Sequence, residues 1–182
     1  MAKVLVPLAQ GCEELEAVTV IDLLRRAQIE VVTAGLDRQT ITASRGVRLV
    51  PDTDLDTALK QDYDMIVLPG GLPGANHLDQ DPRLRSLLQR MAAGKKYTAA
   101  ICAAPKVLAN AGVLEGKRAT AYPGVLDNMH LPHTHVTHEA VVIDGHVITS
   151  RGPGTAMDFA LTLIETLLGK QKRNGVEAGL VR

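Results

Sequence analysis

The sequence is nearly without aromatic residues: 182 positions hold no tryptophan, one phenylalanine and three tyrosines. Base-stacking platforms and aromatic cages have almost nothing to be built from, and the core must be aliphatic. Cysteine is scarce as well. Cys12 and Cys102 stand far apart without C-x-x-C spacing, which excludes a disulfide framework and a zinc-ribbon site and suits a reducing, cytoplasmic setting. Charge of neither sign is in excess, since twenty basic residues balance twenty acidic ones, so nucleic acid is not expected as a main partner. No apolar run approaches the ~18 residues of a membrane span. The opening MAKVLVPLAQGCEELE, with one lysine and then acids, lacks the form of a signal peptide. Neither a Walker A motif nor G-x-G-x-x-G occurs, and no cofactor is expected. With no repeat and no linker, the chain reads as one domain over 1–182, closing in a polar tail over 170–182.

What is present is an alternation of strands and helices. The short apolar run KVLVPL predicts a strand buried on both faces. Leu15, Val18, Ile21 and Leu24 recur at helical spacing, with acids at the start and Arg25 and Arg26 at the end, predicting a helix over 13–27 with that stripe inward. EVVTA predicts a second strand, and 40–42 with 47–50 a hairpin. Asp54 can cap a short helix, and the buried strand 63–68 stops at Pro69-Gly70-Gly71. Asp81-Pro82 opens a helix that Gly94 closes. A strand at 98–101 leads directly to Cys102 and a helix over 103–111. Later strands are expected at 118–122, 140–143 and 146–149, the last two joined by a type I′ turn at Asp144-Gly145. A final helix starts at Thr155, with Thr155-x-x-Asp158 as a capping box. The fold class is α/β, a three-layer sandwich with a mostly parallel central sheet, in which ligands bind where strand C-termini meet helix N-termini.

Three loops fall at such strand ends: residues 9–13, Pro69-Gly70-Gly71 and Ile101-Cys102-Ala103-Ala104-Pro105. The third has the strand–nucleophile–helix logic of a nucleophile elbow, with sulfur in place of a serine oxygen. A helix terminus there favours the thiolate, and Gly71 can bring a backbone N–H to an oxyanion. Spacing alone leaves Cys102 open between a reactive and a buried structural thiol. Glu13, Glu14 and Glu16 read mainly as dipole-compensating residues, with Glu16 the candidate to turn inward, where burial would keep it protonated beside a thiolate. His130, His133, His135 and His138 have metal-like spacing, but they sit in a proline-containing loop without cysteine or acidic partners, so a solvated loop is expected and no metal. Arg151-Gly152-Pro153-Gly154 is cationic and either binds an anion or connects a strand to a helix.

Gly11-Cys12-Glu13-Glu14-Leu15-Glu16-Ala17, Ser44-Arg45-Gly46-Val47, YDMIVLPGG ending at Gly71, AAICAAP around Cys102 and TSRGPGTAMDFAL from Thr149 follow one another along the chain. Together they resemble the ThiJ/PfpI superfamily, in its Parkinsonism-associated deglycase, YajL-like branch, over roughly residues 3–168. The resemblance implies a flavodoxin-like homodimer with Cys102 as the reactive cysteine and Glu16 as its protonated carboxyl partner. By the same carry-over the N–H groups of Gly71 and Ala103 face the reacting oxygen, Arg26 and Arg45 lie near the dimer interface and the substrate pocket, and Pro153 stands beside it. Members of the family are credited with cofactor-free glyoxalase activity, with deglycation of early glycated adducts, and with redox-sensitive chaperone action.

Two departures qualify the likeness. Ala103 follows Cys102 where a protease-like branch has histidine, which argues against a peptidase. Tyr122 stands where glyoxalase relatives often carry histidine, and a tyrosine hydroxyl is a poor base near pH 7, which argues against fast turnover. The expected function is action on small 2-oxoaldehydes or their early glycation adducts through a Cys102 thiohemiacetal. The rival is an oxidative-stress-protective chaperone that senses oxidants by converting Cys102 to sulfinate, in which Cys12 is either an inert thiol or a resolving partner.

Overall fold

The computed structural model describes all 182 residues. The apolar run at the start forms β1 (Lys3–Leu8), the acid-to-base amphipathic segment α1 (Glu14–Arg26), and the next run β2 (Glu30–Gly35). A hairpin of β3 (Ile41–Thr42) and β4 (Arg48–Leu49) precedes β5 (Thr53–Asp54) and α2 (Leu55–Ala58), which Asp54 caps by accepting the Thr57 N–H. Then come β6 (Met65–Leu68), α3 (Gly74–Gln80), α4 (Pro82–Ala93), β7 (Tyr97–Ile101) and α5 (Pro105–Asn110). The remainder is β8 (Arg118–Ala119), β9 (His135–Val136), β10 (Val141–Asp144), β11 (Val147–Ser150), α6 (Ala156–Leu168) and α7 (Lys170–Gly179).

Seven strands make one sheet in the order β10-β11-β7-β6-β1-β2-β5, parallel except at the β10 edge. The fold is the expected flavodoxin-like sandwich. On one face Val4, Val6 and Leu8 of β1 meet Ala17, Val20 and Leu24 of α1 and Phe159 and Ile164 of α6. On the other, Leu5, Ile66 and Leu68 meet Leu84 and Leu88 of α4 and Val107 and Leu108 of α5. From β1 the chain goes to β2 on one side and later to β6 on the other, which opens the crevice of a doubly wound sheet at the carboxyl ends of β1 and β6.

Several local readings change. The buried face of α1 is Glu16, Ala17, Val20, Leu23 and Leu24, whereas Leu15 and Val18 of the expected inward stripe are 51% and 45% exposed. Apolar residues lie on two faces of that helix, so periodicity did not settle which one turns inward. The segment 170–182 is no tail: α7 docks on α6, burying Val176, and Arg173 bonds Glu177 at 2.9 Å. Val176 and the partly buried Leu180 are its apolar anchors, too sparse a pattern to read from sequence. The segment 118–122 leaves the main sheet, with β8 pairing β9 instead. The β10–β11 turn is Gly145-His146, one residue later than expected, with positive φ at Gly145 and not at His146, as in type II′. Thr155 does not cap forward; its hydroxyl turns back to Gly152 across the 3-10 turn Pro153–Thr155. Helix α3 was not anticipated at all.

Candidate active site

Cys102 is the first residue beyond β7 and takes φ +63°, a left-handed conformation uncommon outside glycine. Its N–H is held by the Ser150 carbonyl at 3.0 Å and its own carbonyl by the Tyr122 N–H at 2.9 Å, so neighbouring segments on both sides hold the turn in place. The residue is 8% exposed, and the backbone N–H groups of Gly71 and Ala103 lie beside its sulfur, where they pull the thiol pKa down.

The three strand-end loops converge as expected. Glu13 donates its N–H to the Gly70 carbonyl at 2.9 Å, and a Cβ on Gly71 (φ +86°) would fall 2.3 Å from that Glu13 nitrogen. Gly70, overlooked in the sequence, is the tightest joint. Its N–H donates to Glu16 Oε2 at 2.8 Å, and a Cβ there would lie 2.6 Å from Cys102 Cβ and 2.8 Å from Glu16 Oε2. The clue was the second glycine of the Pro-Gly-Gly run.

Glu16 is fully buried. Its Oε1 is sealed from water with no N–H or O–H partner, and the carboxyl lies within hydrogen-bonding reach of the Cys102 thiol. Burial pushes the carboxyl up to about 7. The thiol does not behave as the sequence argument expects. Burial first, then the Glu16 charge and hydrogen bond, push it up to about 12, against the pull of the Gly71 and Ala103 N–H groups. The six-residue α5 starts three residues after Cys102 and supplies too little field to offset desolvation. Within this pair the Glu16 carboxyl is the group placed to accept the thiol proton. With the proton on Glu16, Oε2 would keep the Gly70 N–H, the O–H would face the sulfur, and the Gly71 and Ala103 amides would face the anion.

Of the remaining candidates, Tyr122 is half exposed and its ring lies beside Gly152, where a Cβ would sit 3.3 Å from Cδ2. Pro153 opens the 3-10 turn next to it. Arg45 is exposed at the hairpin tip. Glu14 does more than offset a dipole: nearly buried, it accepts the Arg45 N–H at 2.8 Å and the Ser44 hydroxyl at 2.9 Å, and these bonds hold its carboxyl below the usual range. Arg26 does not enter this chain's own pocket. It lies ten residues along α1 from Glu16, about 15 Å away, pairs with Asp22 at 2.7 Å, and lines an open cleft of about 620 Å³ with Leu168 and Lys172. Cys12 is fully buried, its thiol pushed up to about 11 by burial and by Glu14, as suits an inert side chain. Three of the four loop histidines go separate ways, His133 toward Glu115, His135 into β9 and His138 to Arg151, and the four form no metal-holding group.

A profile of the DJ-1/PfpI family matches residues 2–166. Protein dj-1beta of Drosophila melanogaster is 44% identical over 178 residues, covering 97% of this chain and 95% of that protein. The Caenorhabditis elegans glutathione-independent glyoxalase DJR-1.2 is 36% identical, covering 96% and 92%. Among solved structures, oxidized Toxoplasma gondii DJ-1 superposes with a TM-score of 0.95 at 39% identity, over 100% of this chain and 98% of that one. A β7 that ends in a strained cysteine against a buried carboxylate, and sequence likeness along the whole sheet, lead to one statement: the chain belongs to the DJ-1/PfpI family.

Proposed function

We propose that the protein is a cysteine-dependent enzyme of glyoxalase and deglycase type, acting on small 2-oxoaldehydes or their early glycation adducts. The observation that carries this is the Cys102–Glu16 pair, with a carboxyl near pKa 7 beside a thiol that two amides already address. A carboxyl with that pKa exchanges protons readily at neutral pH. As the Cys102 sulfur attacks the aldehyde carbon, its proton moves to Glu16 and the carbonyl π bond opens onto oxygen. The Gly71 and Ala103 N–H groups, freed from the sulfur's lone pairs as it bonds to carbon, hold the alkoxide. Glu16 then protonates it, giving the hemithioacetal. Transfer of the C1 proton to C2 through an enediol produces a thioester, and water cleaves it to a 2-hydroxy acid and the free thiol. From a glycated amine, attack at the carbinol carbon releases the amine. Glu16 serves as acid and base throughout, which is how the chain works with Tyr122 in place of histidine. The DJR-1.2 relative, named a glutathione-independent glyoxalase, supports the substrate class.

Following methylglyoxal loss and lactate formation with purified protein tests this. Cys102→Ser should abolish turnover and Glu16→Gln should lower kcat by on the order of 100-fold; turnover that survives Cys102→Ser sinks the reading.

The oxidized form of the Toxoplasma gondii relative favours a second role, in oxidative stress. Sulfinate oxygens on Cys102 would meet the same amides and a protonated Glu16. Mild peroxide should then add two oxygens at Cys102 alone and change protection of client proteins; equal protection by both forms would rule out the switch. We also propose a homodimer in a reducing cytoplasm. Val18 of α1 and the exposed Val50 line one open cleft, with Leu15 of α1 and Val47 of the hairpin exposed as well, an apolar surface that suits a second copy. Across such an interface Arg26 can serve the partner's pocket. Sedimentation should show a dimer that Val18→Asp with Val50→Glu reduces to a monomer. No helix is long and apolar enough to cross a membrane.

A further inference from the structure

The reaction at Cys102 uses a backbone amide whose direction something must fix. The Cys102 carbonyl and the Ala103 N–H belong to one planar trans peptide and point in opposite directions. Whatever holds the carbonyl therefore aims the N–H. The Tyr122 N–H holds that carbonyl at 2.9 Å, and the Ala103 N–H lies beside the sulfur. Cys102 itself takes φ +63°, which a residue with a side chain keeps only where its surroundings impose it.

Tyr122 in turn stands in a segment with few ties of its own. β8 belongs to the small sheet with β9, and beyond Ala119 the chain leaves that ladder as well. At the start of the segment the Arg118 N–H is taken by the Asp144 carboxylate at 2.9 Å. Nearer Tyr122, a single hydrogen bond joins the segment to β11: the Thr120 N–H donates to Thr149 Oγ1 at 2.9 Å, between two fully buried residues. Alternation along β11 puts Val147 and Thr149 on the face where Ala119 and Ala121 pack, and Ile148 on the other. Thr149 pairs with Ala100 and Ser150 with Ile101, and the Ser150 carbonyl takes the Cys102 N–H at 3.0 Å. Two successive residues of β11 thus hold the cysteine turn from its two ends. Ser150 does so directly with its carbonyl, and Thr149 does so with its hydroxyl through residues 120–122. Valine would fill the same space in that buried strand, but it would leave the Thr120 N–H unpaired.

We propose that Thr149 positions the reacting cysteine: by holding the Thr120 N–H, its hydroxyl fixes the segment whose Tyr122 N–H clamps the Cys102 carbonyl, and so keeps the Ala103 N–H turned toward the developing oxyanion. Thr149 acts through the backbone N–H of Tyr122 and not through its ring. This role rests on Cys102 being the reacting atom, and it adds the device that aims one of the two oxyanion donors.

Thr149→Val and Thr149→Ser separate the hydroxyl from the bulk of the side chain, with methylglyoxal as substrate and at a temperature well below unfolding. Thr149→Val should lower kcat on the order of tenfold with KM within about twofold, a smaller loss than the ~100-fold of removing an oxyanion donor outright. Thr149→Ser keeps the oxygen and should stay within about threefold of wild type. Ile148→Val thins the same strand on its other face and should leave kcat as it was. Wild-type kcat in Thr149→Val, Thr149→Ser as slow as Thr149→Val, or an equal loss in Ile148→Val overturns the role. Failure of the wild type to consume methylglyoxal counts instead against the Cys102 reaction, and the clamp is then read from amide hydrogen exchange. In the wild type the Thr120 and Tyr122 amides should be protected to a similar degree, since one opening frees both. Thr149→Val should speed exchange at Tyr122 on the order of tenfold, and Thr149→Ser should not. Unchanged Tyr122 exchange in Thr149→Val overturns the clamp, and so does free exchange at Tyr122 beside a protected Thr120 in the wild type, a measurement that needs no variant to fold.

Discussion

The proton held between Glu16 and Cys102 should be visible as a fall in stability with rising pH. The carboxyl releases its proton near 7 in the folded chain and near 4.5 when unfolded. Between those values the native state keeps a proton that the unfolded chain has given up, so unfolding becomes easier as pH rises through the window. The contribution is fully present below about pH 4.5 and lost by about pH 7. A gap of roughly 2.5 units corresponds to ~3 kcal/mol. With a urea m-value of about 2–3 kcal/mol/M for a chain of this size, the midpoint should drop by about 1 M between pH 4.5 and 7.5. Bonded carboxylates such as Asp52, Asp64 and Asp144 are held low, so their contributions are lost only at more acid pH and do not mask the window. Glu16→Gln keeps an acceptor for the Gly70 N–H but carries no titrating proton, and its curve should be flatter by that ~3 kcal/mol. The assay is urea unfolding followed by far-ultraviolet circular dichroism across the range. Glu16→Gln and wild type falling in parallel would refute the buried proton. A second fall is expected between about 9 and 12, where the raised Cys102 and Cys12 thiols titrate, and Cys102→Ser should reduce it while leaving the first fall in place.

Gly70→Ala should damage the site more than a methyl group elsewhere, because its Cβ has less than 3 Å to Cys102 and to Glu16. We expect a loss of ~1–3 kcal/mol in urea unfolding and on the order of 100-fold in turnover; wild-type values for both would show that the joint is not tight. Glu14→Gln should loosen the hairpin tip, seen as faster amide exchange at Arg45 and Val47. In the wild type that protection should hold above pH 4.5 and fade as the pH falls further, since the Glu14 carboxyl is held below its ordinary value; protection that vanishes on the alkaline side instead would contradict the assignment.

Much of this molecule was legible in one dimension. Short continuous apolar runs can be satisfied only inside a parallel sheet covered on both faces, so the sandwich and the strand-end location of Cys102 followed from the alternation of elements. The Pro-Gly-Gly run and the small residues around Cys102 announced close backbone approach for the same kind of reason, since only side chains that small fit. Where a pattern was ambiguous the sequence could not decide. Apolar residues lie on two faces of α1, and only packing against β1 and α6 chose Ala17, Val20 and Leu24 over Leu15 and Val18. That choice put Glu16 in the middle of the buried face. Helix α7, held by Val176, carries too little apolar surface to be told from a polar tail.

Composition and periodicity determined the fold class and the aliphatic core. The chemistry of the site was decided by the tertiary structure, because pKa values and hydrogen-bond partners depend on what surrounds a group and not on its neighbours in the chain. Burial raises the Glu16 carboxyl to about 7 and the Cys102 thiol to about 12, and the fold brings the Gly70 N–H to Glu16 Oε2 with the Gly71 and Ala103 N–H groups beside the sulfur.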